Sequence, residues 1–169
     1  VDESLIGTRS ISCIYIEAQG SGEGLDVSVE NITWCTADMY MNAMVTAGIT
    51  DADVKIVAPY KVSGTAALTG IYMAYEDITG KKLDEDAKLI GTKELTITAE
   101  LADEIGSADS TAIVNELKLI LDQTKDMTDD ELREQIKQIA EKYEVTLNDS
   151  QIEQLISLCR SLEKLDVSA

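Results

Sequence analysis

Histidine and phenylalanine are absent from this chain of 169 residues, and proline occurs once, at Pro59. The absence of histidine excludes Ser-His-Asp and Cys-His catalysis, zinc sites of the H-E-x-x-H type and histidine-based pH switching. Aromatic residues make up 4% of the chain, so the core has to be built from aliphatic side chains, alanine and methionine. The sequence names no catalytic residue, and it predicts no cofactor and no metal ion.

Basic residues are scarce: 14 stand against 32 acidic residues, which gives a net charge of −18. A surface of this charge repels phosphate backbones and anionic membranes, so the composition excludes nucleic acid as a partner. We interpret the charge as solubility and solvated helix faces, and the alternative is a surface that collects divalent cations or basic partners. A dedicated calcium hand is not supported, since the D-x-[DN]-x-[DN]-G loop is missing.

Long apolar runs and paired cysteines are also lacking. No stretch of 18 apolar residues is present, so the sequence predicts no transmembrane segment. The three cysteines (Cys13, Cys35 and Cys159) include no C-x-x-C motif, and we expect each to pack as a small apolar side chain. The chain has no signal peptide and opens at Val1 without methionine, which predicts a processed or trimmed fragment.

Three segments have the composition of strands. Residues 9–18 (RSISCIYIEA) and 25–34 (LDVSVENITW) alternate and are rich in β-branched side chains. The Gly-rich loop at 20–24 predicts that they pair as an antiparallel hairpin, which places Cys13 opposite Glu30 and disfavours a Cys13–Cys35 bridge. A third, mostly apolar strand is predicted over 53–58, closed by Pro59 because proline cannot donate to a ladder.

Two helices are predicted around the third strand. Thr36 is the expected cap of a helix over 37–47 that stops at Gly48, and Ser63 is the expected cap of a helix that runs to Thr79 and stops at Gly80. Apolar residues at helical spacing form their buried stripes: Tyr40, Ala43, Met44 and Ala47 in the first, and Ala67, Leu68, Ile71, Tyr75 and Ile78 in the second.

The remainder is predicted to be helical. We favour a helix over 84–105, although its LTITAEL segment has strand-like composition, and a helix over 109–124. Two capping-box patterns, Thr128 to Glu131 and Asn148 to Gln151, begin two amphipathic helices that a short link joins into an αα-hairpin. Their predicted buried residues are Leu132, Ile136, Ile139, Ala140 and Tyr143, then Ile152, Leu155, Ile156, Cys159 and Leu162.

The order β-β-α-β-α followed by helices predicts the α+β class, with a small mixed sheet packed by helices and a C-terminal helical hairpin. We expect an α+β domain over residues 1–106. Residues 107–169 are expected to form a helical region that packs on this domain or makes a small subdomain.

The segment 58–70 (APYKVSGTAALTG) runs from the third strand into the second helix. Backbone N–H groups at a helix N-terminus next to a lysine can hold a phosphate or carboxylate, so we take Lys61, Ser63, Gly64 and Thr65 as the candidate ligand-binding residues. The alternative is purely structural: Ser63 caps the helix, and Gly64 and Gly70 permit close packing. The segment is not a P-loop.

Other chemistry at this segment is less well supported. A Lys61–Ser63 dyad lacks the usual S-x-x-K spacing, so it is a poor nucleophile. Acidic residues near turns are candidates for paired carboxylates in glycoside hydrolysis, but such clefts are usually lined by aromatic side chains, which are few here. These acidic residues are Asp51, Asp53, Glu76, Asp77, Asp84, Glu85 and Asp86. Asp51 and Asp84 fit better as turn and helix caps. A weak calcium site among these carboxylates is a further alternative.

Several segments resemble the YpuA-like family, uncharacterised exported proteins of Firmicutes known as domain of unknown function 1002. The resemblance covers residues 7–105 and continues into the tail, so it spans nearly the whole chain. It rests on Ile6-Gly7-Thr8, GEGLDVSVENITW (22–34), MYMNAMVTAGITDADVKIVAP (39–59), VSGTAALTGI (62–71), ITGKKL (78–83), LADEIG (101–106), TDDELREQIKQIA (128–140) and LNDSQIEQLISL (147–158).

This resemblance implies an extracellular or envelope-associated protein whose N-terminal segment is missing from the chain. It assigns no activity. The expected function is a non-enzymatic ligand-binding or protein-interaction module, with a small anion or an envelope protein as partner and with Asn31, Trp34 and Thr36 next to the 59–70 turn. One alternative is a carboxylate-dependent hydrolase that acts on a cell-wall or extracellular substrate. Another is a structural protein that forms oligomers through the exposed edge of its short sheet or through the helical tail.

Overall fold

The computed structural model describes residues 11–165 of the chain. Three strands and seven helices occur in this range, and the predicted α+β class and element order are confirmed. The elements are β1 (Cys13–Ala18), β2 (Leu25–Ile32), α1 (Ala37–Thr46), β3 (Ala52–Val62), α2 (Thr65–Thr79), α3 (Glu85–Ile105), α4 (Ser107–Leu119), α5 (Leu121–Thr124), α6 (Asp129–Lys142) and α7 (Asp149–Leu162).

The chain divides into two compact units, one up to Thr96 and one from Ile97. The first contains the sheet with α1, α2 and the N-terminal part of α3, and the second contains the remaining helices. The expected domain boundary between residues 106 and 107 stays a prediction. Among the described residues, no helix combines the length and the apolar character that crossing a membrane requires.

The sheet has the strand order β1-β3-β2, so the predicted hairpin of β1 with β2 is wrong. β3 pairs antiparallel with β1 and parallel with β2, and Cys13 lies opposite Val57 rather than Glu30. The reason lies in β3 itself, whose alternate residues Ala52, Val54, Ile56 and Ala58 are at most 5% exposed. The strand with the most apolar face takes the centre, and α1 provides the long connection that a parallel pair requires.

The Gly-rich loop joins two strands that are not neighbours in the sheet. Gly22 and Gly24 have φ of 88° and 86°, and their N–H groups donate to Asp51 Oδ1 at 2.8 and 2.9 Å. These bonds, with the Thr50 hydroxyl, lower the pKa of Asp51. Asp51 therefore holds the loop at the start of β3, which confirms the prediction that it stabilises a turn.

Pro59 does not end β3, which continues to Val62, so that prediction is wrong. The last residue of β3 that pairs with β1 is Val57, so no β1 carbonyl needs a donor at Pro59. On the other side the register with β2 shifts, because Val57 lies opposite Glu30 whereas Val62 lies opposite Ile32. Proline is tolerated in a strand at such an irregularity.

Helices α1 and α2 bury apolar stripes in the first unit. All four residues predicted for α1 are buried, and Thr36 caps the helix through a hydrogen bond from the Met39 N–H. In α2 the prediction is confirmed for Ala67, Leu68 and Ile71, whereas Tyr75 is half-buried. It is wrong for Ile78, which is 52% exposed because it lies in the last turn, beyond the buried residues. Gly80 ends α2 with a left-handed conformation, as predicted.

Helix α3 is continuous over the segment that had strand-like composition, so the helical prediction is confirmed. Asp84 accepts the Ala87 N–H at 2.8 Å, as expected of a cap. The hydroxyls of Thr92 and Thr96 donate to carbonyls one turn earlier, which satisfies them inside a helix. At Gly91 a Cβ atom would lie 2.6 Å from both Ala43 O and Tyr72 Oη, so glycine allows α3 to approach α1 and α2.

The predicted helix over 109–124 is interrupted at Ile120, where α4 ends and α5 begins. The break places Thr124 against the last helix, where its hydroxyl donates to Glu163 at 2.7 Å and its carbonyl accepts from Arg160 at 2.9 Å. The sequence of residues 109–124 does not indicate this break, because the residues that Thr124 contacts lie almost 40 positions later in the chain.

The C-terminal hairpin of α6 and α7 is confirmed. Thr128 with Glu131 and Asn148 with Gln151 form both reciprocal hydrogen bonds of a capping box. The predicted stripes are buried, except that Tyr143 is half-buried and donates its hydroxyl to Glu116 at 2.7 Å.

The three cysteines are free. Cys35 and Cys159 are buried, and burial raises the pKa of both thiols to about 12, so they pack as small apolar side chains as expected. The same expectation is wrong for Cys13, which is exposed. It lies in an edge strand, and its side chain is on the face of the sheet that does not carry the buried residues.

Glu76 organises the connection from α2 to α3 and gives a pH-dependent prediction. The N–H of Leu83 donates to its carboxylate at 2.9 Å, and Lys82 and Lys88 pair with it at 3.1 and 3.2 Å. These contacts lower its pKa from 4.5 to about 2. A lowered pKa adds stability that is fully present above the unfolded value and is lost as pH falls towards the folded value.

We expect Glu76→Gln to lower the melting temperature at about pH 7 and to lower it less as the pH approaches about 2, because the wild type then loses the same contribution. Thermal unfolding followed by circular dichroism across this range measures the difference. Asp77→Asn, at an exposed neighbouring carboxylate, controls for the loss of one charge. A destabilisation that stays constant with pH contradicts the account.

Candidate functional site

The parallel strands β2 and β3 end at the same edge of the sheet, and the helices α1 and α2 start there. The segment after β2 runs beside the end of β3. Asn31 Nδ2 donates to Ala58 O at 2.8 Å, Thr33 N–H to Val62 O at 2.9 Å and Cys35 N–H to Ser63 O at 3.2 Å. The structure therefore brings the segment that contains Asn31, Trp34 and Thr36, which were expected near this turn, alongside residues 58–63.

The candidate ligand-binding residues occupy successive positions in this turn. Lys61 is exposed near the end of β3 and forms no ion pair among the described residues. Ser63 is half-buried, and Thr65 is the first residue of α2. The prediction that Ser63 caps α2 is wrong: the cap position is Gly64, and no side chain accepts a hydrogen bond there.

Gly64 is the residue on which the geometry of the turn depends. Its φ of 97° lies in the left-handed region, and a Cβ atom would overlap the side chain of Ile32 and the hydroxyl of Tyr40. The same hydroxyl donates to Gly64 O at 2.6 Å. Only glycine satisfies both the conformation and this close approach, and the tyrosine bond joins the first turn of α1 to the start of α2.

Tyr40 was predicted as a core residue, and its role at the turn was missed. It is fully buried, and burial raises the pKa of its phenol, so the hydroxyl remains a neutral donor. A tyrosine within an apolar helical stripe is a usable signal, because a buried hydroxyl needs a hydrogen-bond partner. The identity of that partner, a carbonyl 24 residues later, cannot be read from the pattern.

The turn has the chemistry of an anion site. The N–H groups of Thr65 and Ala66 have no acceptor within α2, because the residues three and four positions earlier lie outside the helix. The positive end of the helix dipole is at the same place, and no acidic residue occurs in the first turn. Within residues 11–165 the hydroxyls of Ser63 and Thr65 have no bonding partner.

Three of the carboxylates considered for hydrolysis or for calcium form other contacts. Asp51 holds the Gly-rich loop, Asp84 caps α3, and Glu76 binds Leu83 and two lysines. In the part of the chain that the structure describes, no three acidic or cysteine side chains come together as a metal site would require. The pKa of Asp51 and of Glu76 is lowered, the opposite of what a general acid needs.

Comparisons with known proteins give a family without an assigned activity. A family model described as "Protein of unknown function (DUF1002)" matches residues 1–169. The chain is 38% identical over 170 residues to the uncharacterized protein YpuA of Bacillus subtilis (strain 168). The match covers 99% of this chain and 58% of that relative, so the chain spans little more than half of the relative's length. No solved structure matches the chain.

The turn gives a prediction that separates backbone strain from crowding. Gly64→Ala should destabilise the protein by about 2–4 kcal/mol, because it adds both a left-handed alanine and an overlap with Ile32 and Tyr40. Gly80→Ala is the matched control, since Gly80 also has positive φ but has open space around its Cβ position. Gly80→Ala should cost about 1–2 kcal/mol, the penalty of the left-handed conformation alone. Urea unfolding measures both, and equal losses contradict the crowding at Gly64.

Proposed function

We propose that this chain, which belongs to the DUF1002 family of proteins of unknown function, is a non-enzymatic binding module. It holds an anionic group at the turn from 61 to 65. The observation that carries the proposal is the meeting of two parallel strand ends with an uncapped helix start beside a lysine. Open α/β sheets bind ligands outside the carboxyl ends of their strands.

Comparison of the helices of this chain supports the choice of α2. Side chains cap α1, α6 and α7, through Thr36, Thr128 and Asn148. The helices α4 and α5 also start without a side-chain cap, but each has an acidic residue in its first turn, whereas α2 has none. The start of α2 has no such cap, and its N–H groups lie next to two hydroxyls that have no partner in the described range. An anion there would accept from the backbone N–H groups of Thr65 and Ala66 and from the hydroxyls, and Lys61 would supply the opposite charge.

The net charge of −18 sets a limit on the ligand. Long-range attraction cannot draw an anion to this protein, so binding has to come from short-range hydrogen bonds at the turn. A compact carboxylate or phosphate group suits this arrangement, whether on a small molecule or on an envelope protein. Ligand binding at such a site is strengthened by charge-assisted hydrogen bonds rather than by buried apolar area.

We place the module outside the cell or in the cell envelope, because the resemblance described above implies an exported protein. The whole protein's partner can depend on regions outside this chain, since the chain spans 58% of the relative that it matches. Fractionation of cells that express the full-length gene product tests the location.

The alternative, a carboxylate-dependent hydrolase, has less support. It requires two acids that face one cleft at about 5–10 Å, one of them with a raised pKa. Asp51 and Glu76, two of the carboxylates considered for this role, accept hydrogen bonds from backbone N–H groups and have lowered pKa values. We therefore favour binding over hydrolysis.

The double variant Lys61→Ala with Ser63→Ala tests the proposal. We expect the wild type to melt at a higher temperature in millimolar phosphate or acetate, and the variant to bind the anion about tenfold more weakly. The matched control is Lys55→Ala with Ser28→Ala, which removes the same groups from two residues that lie opposite each other elsewhere on the sheet. Equal thermal shifts in both variants, or no response of the wild type to any anion, contradict the proposal.

A further inference from the structure

The outer edge of β1 has backbone groups that could pair with another strand. Within residues 11–165, β1 pairs with β3 alone. The bond from Gln19 N–H to Asp51 O continues the β1–β3 ladder. In an antiparallel ladder every second residue pair is hydrogen-bonded, so Cys13, Tyr15 and Glu17 are the β1 residues that bond to β3. The N–H and C=O groups of the alternate residues therefore point outward from the open edge of the sheet: these residues are Ile14, Ile16 and Ala18.

This edge lacks the features by which proteins usually prevent strand addition. β1 contains no proline, no lysine and no register shift, and Glu17 is its single charged residue. The other edge strand, β2, carries Asp26 and Glu30 and bends at Asn31, where φ is 59°. The two edges thus differ, and β1 is the one that remains straight and nearly uncharged.

An apolar surface continues past β1 on the side of α2. Ile14 and Ile16 are half-buried there. Gly70 of α2 packs on Ile14, since a Cβ atom at Gly70 would lie 2.5 Å from Ile14 Cδ1. Met73 and Ala74 lie three and four residues after Gly70, so they are on the same flank of α2. Met73 is 63% exposed. Apolar side chains of an added strand would cover this flank.

On the opposite face, a row of carboxylates runs across the sheet and ends at the open edge. Glu17 lies opposite Asp53, and Asp53 lies opposite Asp26. Like charges directly across a sheet are unfavourable. A lysine or arginine on an added strand, placed beside Glu17, would extend this row with the opposite charge.

We propose that the edge of β1 binds an extended segment of another protein as a fourth strand, with apolar side chains towards α2 and basic side chains towards the carboxylate row. The observation that selects this partner is charge complementarity. A second copy of β1 would bring another Glu17 to the edge, whereas a strand of alternating apolar and basic residues matches both faces. The proposal concerns a surface other than the anion site, so either can fail without the other.

Amide hydrogen exchange of the whole chain, followed by NMR, tests the proposal with a heptapeptide of alternating lysine and valine. We expect exchange at Ile14, Ile16 and Ala18 to slow by about tenfold or more when the peptide is in excess, because their N–H groups become bonded. Exchange at Cys13, Tyr15 and Glu17, which are already bonded to β3, should stay the same. A peptide with glutamate in place of lysine should leave all six unchanged.

Two N-methylated peptides separate strand addition from charge attraction. One peptide is methylated at the backbone nitrogens of its valines and the other at those of its lysines. In a strand, alternate residues direct their N–H groups to opposite edges, so one of the two peptides should lose the protection and the other should keep it. If the valine-methylated peptide gives no protection, the added strand is antiparallel to β1. If the lysine-methylated peptide gives none, the added strand is parallel. Equal binding by both peptides overturns the proposal.

The remaining outcomes are also decisive. Glu17→Lys should weaken binding of the lysine peptide by about threefold to tenfold, whereas Glu141→Lys, which makes the same charge change at an exposed site in α6, should not. Protection of Ile14 and Ile16 without peptide overturns the proposal. If that protection rises with protein concentration, the occupant is a second copy, and if it does not, the occupant is a segment of the same chain. No protection by any peptide also overturns it.

Discussion

The first unit depends on the two-sided pairing of β3. This strand bonds to β1 on one side and to β2 on the other, and its alternate residues are almost fully buried. Because β2 and β3 are parallel, the chain between them has to cross the sheet, and α1 is that connection. If β3 were an edge strand, neither the start of α1 nor the start of α2 would lie where it does.

Both candidate surfaces follow from this arrangement. The proposed anion site depends on two parallel strands that end together, so that the segments leaving them run side by side from Asn31 to Cys35 and from Ala58 to Ser63. Tyr40 then bonds to Gly64 and holds α2 in a position that requires glycine at its cap. The open edge arises because β3 takes the centre and leaves β1 with one neighbour among the described residues. One surface is suited to an anion and the other to a basic strand.

Sequence signals that act within a few residues were reliable here. The caps at Thr36, Thr128 and Asn148 and the stop at Gly80 were predicted correctly, because each depends on one side chain or one backbone angle nearby. The strand order was not predicted, since a Gly-rich loop between two alternating segments looks the same whether they pair or flank a third strand. Ser63 was mistaken for the cap for a similar reason: the bond from Tyr40 favours Gly64, and that bond is not local.

The most direct test of the account is the pattern of Hα–Hα contacts in NMR spectra of the whole chain. In an antiparallel pair, residues that do not exchange hydrogen bonds have the closest Cα atoms, at about 4.5 Å. The account predicts strong Hα–Hα contacts from Ile14 to Ile56 and from Ile16 to Val54, which lie opposite each other across the β1–β3 ladder. Contacts between β1 and β2 instead, such as Cys13 with Glu30, would show a hairpin and contradict the central position of β3.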